Sequence, residues 1–171
     1  MLKKVDQVKK AKLQKTNAIR LVDKMKISYQ LHEYPWDEDH LGAEAVFETL
    51  SAPKEWIFKT IVTTGDKTGI VVACIPGDSE IDLKKLAKAS GNKRIALLPL
   101  SELEKTTGYI RGGCSPIGMK KLYPTYFSKR AEQMERIIVS AGKRGLQIEL
   151  DPLDLQKVTS ATFAEIESPH N

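Results

Sequence analysis

The chain has 171 residues, of which 41% are apolar and 29% charged, with a net charge of +5 and a pI near 9.1. This is the composition of one globular domain with a real core, not of a disordered chain, and no run of about 18 apolar residues is present to cross a membrane. Cys74 and Cys114 form neither a C-x-x-C pair nor a disulfide framework, and the N-terminus lacks the apolar centre of a secretory signal, so the expected location is the cytosol.

Residues 1–15 read as a basic extension, in which Lys3, Lys4, Lys9, Lys10, Lys12 and Lys15 are opposed by Asp6. Such an arm is either a solvated terminus or a salt-sensitive phosphate contact. Thr16 then reads as an N-cap, and Ala18, Leu21, Val22 and Met25 follow at the spacing of an amphipathic helix. "ISYQLHEY" alternates Ile27, Tyr29 and Leu31 against Ser28, Gln30 and His32, which predicts a half-buried strand. After Gly42, Ala43, Val46, Phe47 and Leu50 share one face of a second helix.

"WIFKTIVTT" and "GIVVACIP" predict two strands joined as a hairpin through Gly65 to Gly69. Asp82 caps a helix carrying Leu83, Leu86 and Ala87, which Gly91 ends. "RIALLP" is a short strand, and Ser101 with Glu104 has the spacing of a capping box for another helix. "RIIVS" and "LQIEL" form a second hairpin around "AGKRG", and Asp151 with Pro152 opens the last helix. The interleaving is not strictly βαβ. The expectation is a single α+β domain over 16–171, with a mixed, barrel-like β-sheet flanked by helices.

Few residues stand out as chemistry. His32, His40 and His170 form no metal-binding pattern, and no phosphate loop or G-x-S-x-G elbow occurs. Lys59 sits between Ile57 and Ile61 on one face of a strand, where it either snorkels to an edge or lines a cleft as a desolvated cation. "GYIRGGCSPIG" (Gly108 to Gly118) exposes backbone N–H groups around Cys114 and Ser115, with Lys120 and Lys121 just downstream. It is a turn, a phosphate cradle, or the seat of a cysteine nucleophile with a base such as His32 brought close by the fold. Ser140, Lys143 and Arg144 mark a second Gly-rich turn, either an exposed hairpin tip or a phosphate contact.

Taken together, "FKTIV", "IDLKKLAKASG", "TGYIRGGCSPIG" and "IVSAGKRGLQIEL" resemble the YbaK/EbsC-type aminoacyl-tRNA deacylases, relatives of the editing domain inserted in bacterial prolyl-tRNA synthetases. The resemblance runs from Thr16 to about Ile166 and is nearest to the Cys-tRNA(Pro) deacylase branch. It implies hydrolytic clearance of misacylated tRNA, with aminoacyl-tRNA as substrate, prolyl-tRNA synthetase as a possible partner, and neither cofactor nor metal. Lys59 matches the family's functional lysine, Tyr34 a pocket tyrosine, Gly113 the glycine loop and Ser140 the serine of the "S-x-G-K-R-G" turn. Two positions depart from it: Gln147 stands where relatives carry an aspartate, and Cys114 where they carry an apolar or hydroxyl residue.

The expected site places catalysis at Lys59 and Gly113, and substrate binding at Tyr34, Gly112, Cys114, Ser115, Ser140 and Gln147. Lys120, Lys143 and Arg144 would hold tRNA. The implied nucleophile is the thiol of the mischarged cysteine, with loop amides and Lys59 stabilising the oxyanion. The competing expectations are an Ala- or Ser-tRNA(Pro) deacylase, a non-catalytic tRNA-binding module, and a conventional hydrolase using Cys114.

Overall fold

Thr16 opens the first helix of the computed structural model, which describes residues 15–39, 46 and 50–169. Its Oγ1 accepts from the Ile19 N–H at 3.1 Å and so caps helix α1, Asn17–Lys24. The same hydroxyl donates to Ala141 O at 2.6 Å, which ties the helix start to the sheet behind it. Ala18, Ile19 and Val22 form the buried face. Met25, expected on that stripe, is 42% exposed because the helix ends one residue earlier. The basic arm over 1–14 lies outside the described residues; Lys15 pairs with Asp23.

Strand β1 is Gln30–Glu33, shorter than the predicted alternation, with Ile27 and Tyr29 packing on the core from irregular chain. Of the helix expected after Gly42, only Val46 and Leu50 are described, and Val46 is buried. The first hairpin forms as expected: β2, Phe58–Gly65, runs antiparallel to β3, Gly69–Pro76, with Gly65 opposite Gly69. Asn92 holds its turn, accepting at Oδ1 from the Lys67 and Thr68 N–H groups at 2.8 and 3.0 Å. Helix α2, Leu83–Ser90, is capped by Asp82 and stopped by Gly91 at φ +77°. Strand β4, Ile95–Leu97, then adds to the free edge of β2.

The predicted capping box does not form. Pro99 starts a 3₁₀ turn over Leu100–Glu102, so helix α3, Leu103–Thr107, begins after Ser101 has passed, and its cap residue Glu102 makes no side-chain cap bond. Sequence reading also passes over β5, Thr125–Ser128, the single-turn helix α4, Lys129–Glu132, and β8, Thr162–Ala164. The second hairpin is β6, Ile137–Lys143, with β7, Leu146–Leu150, and Asp151 caps α5, Pro152–Thr159.

Two sheets result. One is antiparallel in the order β1-β7-β6; the other is mixed in the order β4-β2-β3-β5-β8, where β3–β5 and β5–β8 run parallel. A parallel bridge between Ile57 and Ile138 joins them at the start of β2, which closes the curled α+β arrangement expected from the sequence. The main core packs Val139, Leu146, Ile148 and Leu150 of the second hairpin against α1, Phe127 and Leu155. A second cluster places Val71, Ala73 and Ile75 of β3 against Leu86 and Ile166.

Candidate active site

The junction of the two sheets leaves a cavity of about 170 Å³. Strand alternation supplies one wall. Val139, Ala141, Leu146 and Ile148 point into the main core, so Ser140 and Gln147, directly opposite each other in register, point to the other face. Gln147 is 5% exposed, and its Nε2 donates to the Tyr34 Oη at 3.5 Å. Phe58, Lys59 and Thr60 from the start of β2 form a second wall, and Gly112 and Cys114 a third, with Val46 and Ile57 also lining the space. Lys59, for which the sequence left open an edge or a cleft, is half-buried and lines this cavity.

The glycine loop is held rigidly. A Cβ on Gly113 would lie 3.0 Å from Arg144 N and 3.1 Å from Lys143 C, so the loop backbone runs directly against the β6–β7 turn. Arg144 Nε donates to Arg111 O at 2.8 Å, and Tyr109 Oη donates to Ile117 O at 2.6 Å. The same packing engages two residues of the expected site. The Gly113 N–H donates to Ile110 O at 2.9 Å, and the cavity is lined by its neighbours Gly112 and Cys114. Ser115 is fully buried, its Oγ accepts from the Ile117 N–H at 3.2 Å, and it too is absent from the wall. Among the described residues, the N–H groups of Gly112 and Cys114 have no acceptor, and both residues face the cavity.

Burial pushes the Cys114 thiol up from 9.0 to about 11, with the Thr107 hydroxyl offsetting part of that. The Cys74 thiol behind it is pushed up further by complete burial. His32 does not serve Cys114: its Nε2 lies 2.8 Å from Glu149 Oε1, and Glu149 Oε2 accepts from Arg136 Nε at 3.0 Å. Sequence reading missed this buried ion pair, although Gln147 and Glu149, two apart in β7, signal a polar face. Lys120 Nζ donates to Lys105 O at 3.0 Å in an exposed position apart from the cavity. Lys143 and Arg144 line a neighbouring groove of about 470 Å³ together with Tyr34 and Trp36. Among the described residues no helix is long and apolar enough to cross a membrane.

The family model of the aminoacyl-tRNA editing domain matches residues 37–158. The chain belongs to that family. This editing domain is 61% identical over 158 residues to an Enterococcus faecalis protein provisionally named EbsC, a Cys-tRNA(Pro)/Cys-tRNA(Cys) deacylase, covering 92% of this chain and 96% of that one. It is 32% identical over 79 residues to the proline–tRNA ligase of Thermosipho africanus, covering 46% of this chain and 14% of the ligase. A solved structure provisionally described as a trans-editing enzyme for prolyl tRNA synthetase shares the fold, with a TM-score of 0.77 at 20% identity over 92% of this chain and 100% of that one.

Proposed function

We propose that this editing domain acts in trans to clear Cys-tRNA(Pro), and with it Cys-tRNA(Cys), by letting the substrate's own thiol attack its ester. The observation that carries the reading is the small cavity lined by Lys59 and by the loop residues Gly112 and Cys114, in a chain 61% identical to EbsC. The cysteinyl thiol loses its proton and its sulfur bonds to the ester carbonyl carbon, which puts negative charge on the carbonyl oxygen. Lys59 and the N–H groups of Gly112 and Cys114 stabilise that oxyanion; one such donor is typically worth about 3–4 kcal/mol, or roughly 10²–10³ in rate. Collapse breaks the bond to the ribose oxygen, which leaves with a proton, and the amino acid departs as a thiolactone that water opens to cysteine.

Chemistry selects for cysteine here. A free thiol has a pKa of about 8.5 and is nucleophilic even when slightly ionised, while proline carries no thiol at all. The enzyme's own Cys114 is a poor rival, with its thiol held near 11 by burial and His32 engaged by Glu149. Gln147 orients Tyr34 from the cavity wall and contributes hydrogen bonding without charge. Prolyl-tRNA synthetase fits as the partner that supplies tRNA selection, in keeping with the 32% identity to a 79-residue stretch of the proline–tRNA ligase.

The test compares two variants on Cys-tRNA(Pro). Lys59→Ala is expected to lose about 100-fold or more in single-turnover deacylation, and Cys114→Ala to keep most of it. An active Lys59→Ala with an inactive Cys114→Ala overturns the assignment.

A further inference from the structure

Beside the cavity, and sharing Tyr34 with it, lies the groove of about 470 Å³ lined by Glu33, Trp36, Lys143 and Arg144. We infer that this groove is a nucleoside subsite in which Trp36 and Arg144 form a stacking platform for the 3′-terminal adenine of tRNA. The inference rests on the deacylase reading for the identity of the nucleic acid, but its geometry stands apart from the chemistry of ester cleavage.

Position comes first. An esterified amino acid hangs from the terminal ribose, so the base must sit within one nucleoside of the scissile bond. The 170 Å³ cavity suits an amino-acid side chain and its ester, whereas the larger groove next door has room for the much bulkier base. The partition between them is fixed, because the Tyr34 N–H donates to Gly145 O at 3.0 Å. A ligand that fills both spaces must therefore bend around Tyr34, as an aminoacyl ester does at its ribose.

The platform is already built. Trp36 is 44% exposed, a large aromatic left at the surface of a polar groove. The Arg144 guanidinium stands 5.3 Å from its ring centroid and is held by the bond from Nε to Arg111 O. Gly145, at φ +82°, is what lets the indole come so close: a Cβ there would lie 2.6 Å from Trp36 Cδ1. Aromatic rings and guanidinium planes are the surfaces on which proteins stack unpaired bases, and a guanidinium held in place loses little freedom when a base arrives. Lys143 also lines the groove and adds a second cation for the phosphate 5′ of the terminal nucleoside.

The experiment measures binding of the uncharged trinucleotide CCA by calorimetry to the wild-type chain, Trp36→Ala and Trp36→Phe, alongside KM and kcat for Cys-tRNA(Pro). Trp36→Ala is expected to weaken CCA binding by roughly 5- to 100-fold and to raise KM with kcat little changed, while Trp36→Phe stays within about threefold of wild type. Trp36→Ala binding CCA as tightly as wild type, or no binding of CCA to the wild-type chain, overturns the subsite. Tryptophan-dependent CCA binding in a chain that cleaves no ester would uphold the subsite and remove only the deacylase reading.

Discussion

Cys114 and Lys59 line the same cavity from different walls, yet physical chemistry separates their roles. A thiol enclosed by protein keeps its proton because the thiolate loses its hydration, whereas Lys59 is only half-buried. The raised thiol has a consequence for stability. The folded chain holds the Cys114 proton up to about pH 11, against 9.0 ordinarily, so above that ordinary value the unfolded state binds fewer protons. Stability is then full below about pH 8.5 and falls as pH rises toward the folded value. Tyr29, pushed up to about 12 by burial and Asp23, and the buried Tyr109 act in the same direction at higher pH. Thermal melts from pH 8 to 11 should show a falling midpoint, and Cys114→Ala should flatten the part of that fall between pH 9 and 11. A midpoint equally pH-dependent in both proteins would contradict the enclosed-thiol picture.

The elements around the site were read unevenly from the sequence, for identifiable reasons. β2, β3, β6 and β7 were legible because they are long, apolar and joined by glycine turns, and both hairpins appear where expected. β5 and β8 were not, because Thr125–Ser128 and Thr162–Ala164 are too short to show a period and pair in parallel with distant chain. The capping box was misread because Pro99 imposes a 3₁₀ turn that local spacing does not announce. Within the glycine loop, sequence located the region but not which amide is spent on the turn itself; that depends on the Gly113 N–H folding back to Ile110. The loop's dependence on the hairpin is testable at Gly142, which sits at φ +96° with the position of a Cβ only 2.7 Å from Tyr109 Cε1. Gly69 has a similar φ of +77° but open space around it. Gly142→Ala should cost at least about 2 kcal/mol in urea unfolding and Gly69→Ala nearer 1 kcal/mol. Equal losses would mean that backbone strain, not contact with Tyr109, governs the site.

At the scale of the whole molecule, two sheets meet at the Ile57–Ile138 bridge and hold three walls of a cavity that no single stretch of sequence contains. Of the predicted site, Tyr34, Lys59, Gly112, Cys114, Ser140 and Gln147 converge there, while Gly113 and Ser115 brace the loop behind it. Among the described residues these walls hold Lys59, two amides without an acceptor and a thiol kept protonated by burial, the arrangement that the proposed attack by the cargo calls for. The decisive measurement is a deacylation panel with tRNA(Pro) charged separately with Cys, Ala, Ser and Pro, run with the Cys114→Ala variant so that no enzyme thiol lines the cavity. The account predicts that Cys-tRNA(Pro) is cleared at close to the wild-type rate while the Ala, Ser and Pro esters survive. Clearance of the Ala or Ser ester as fast as the Cys ester would contradict attack by the substrate's sulfur.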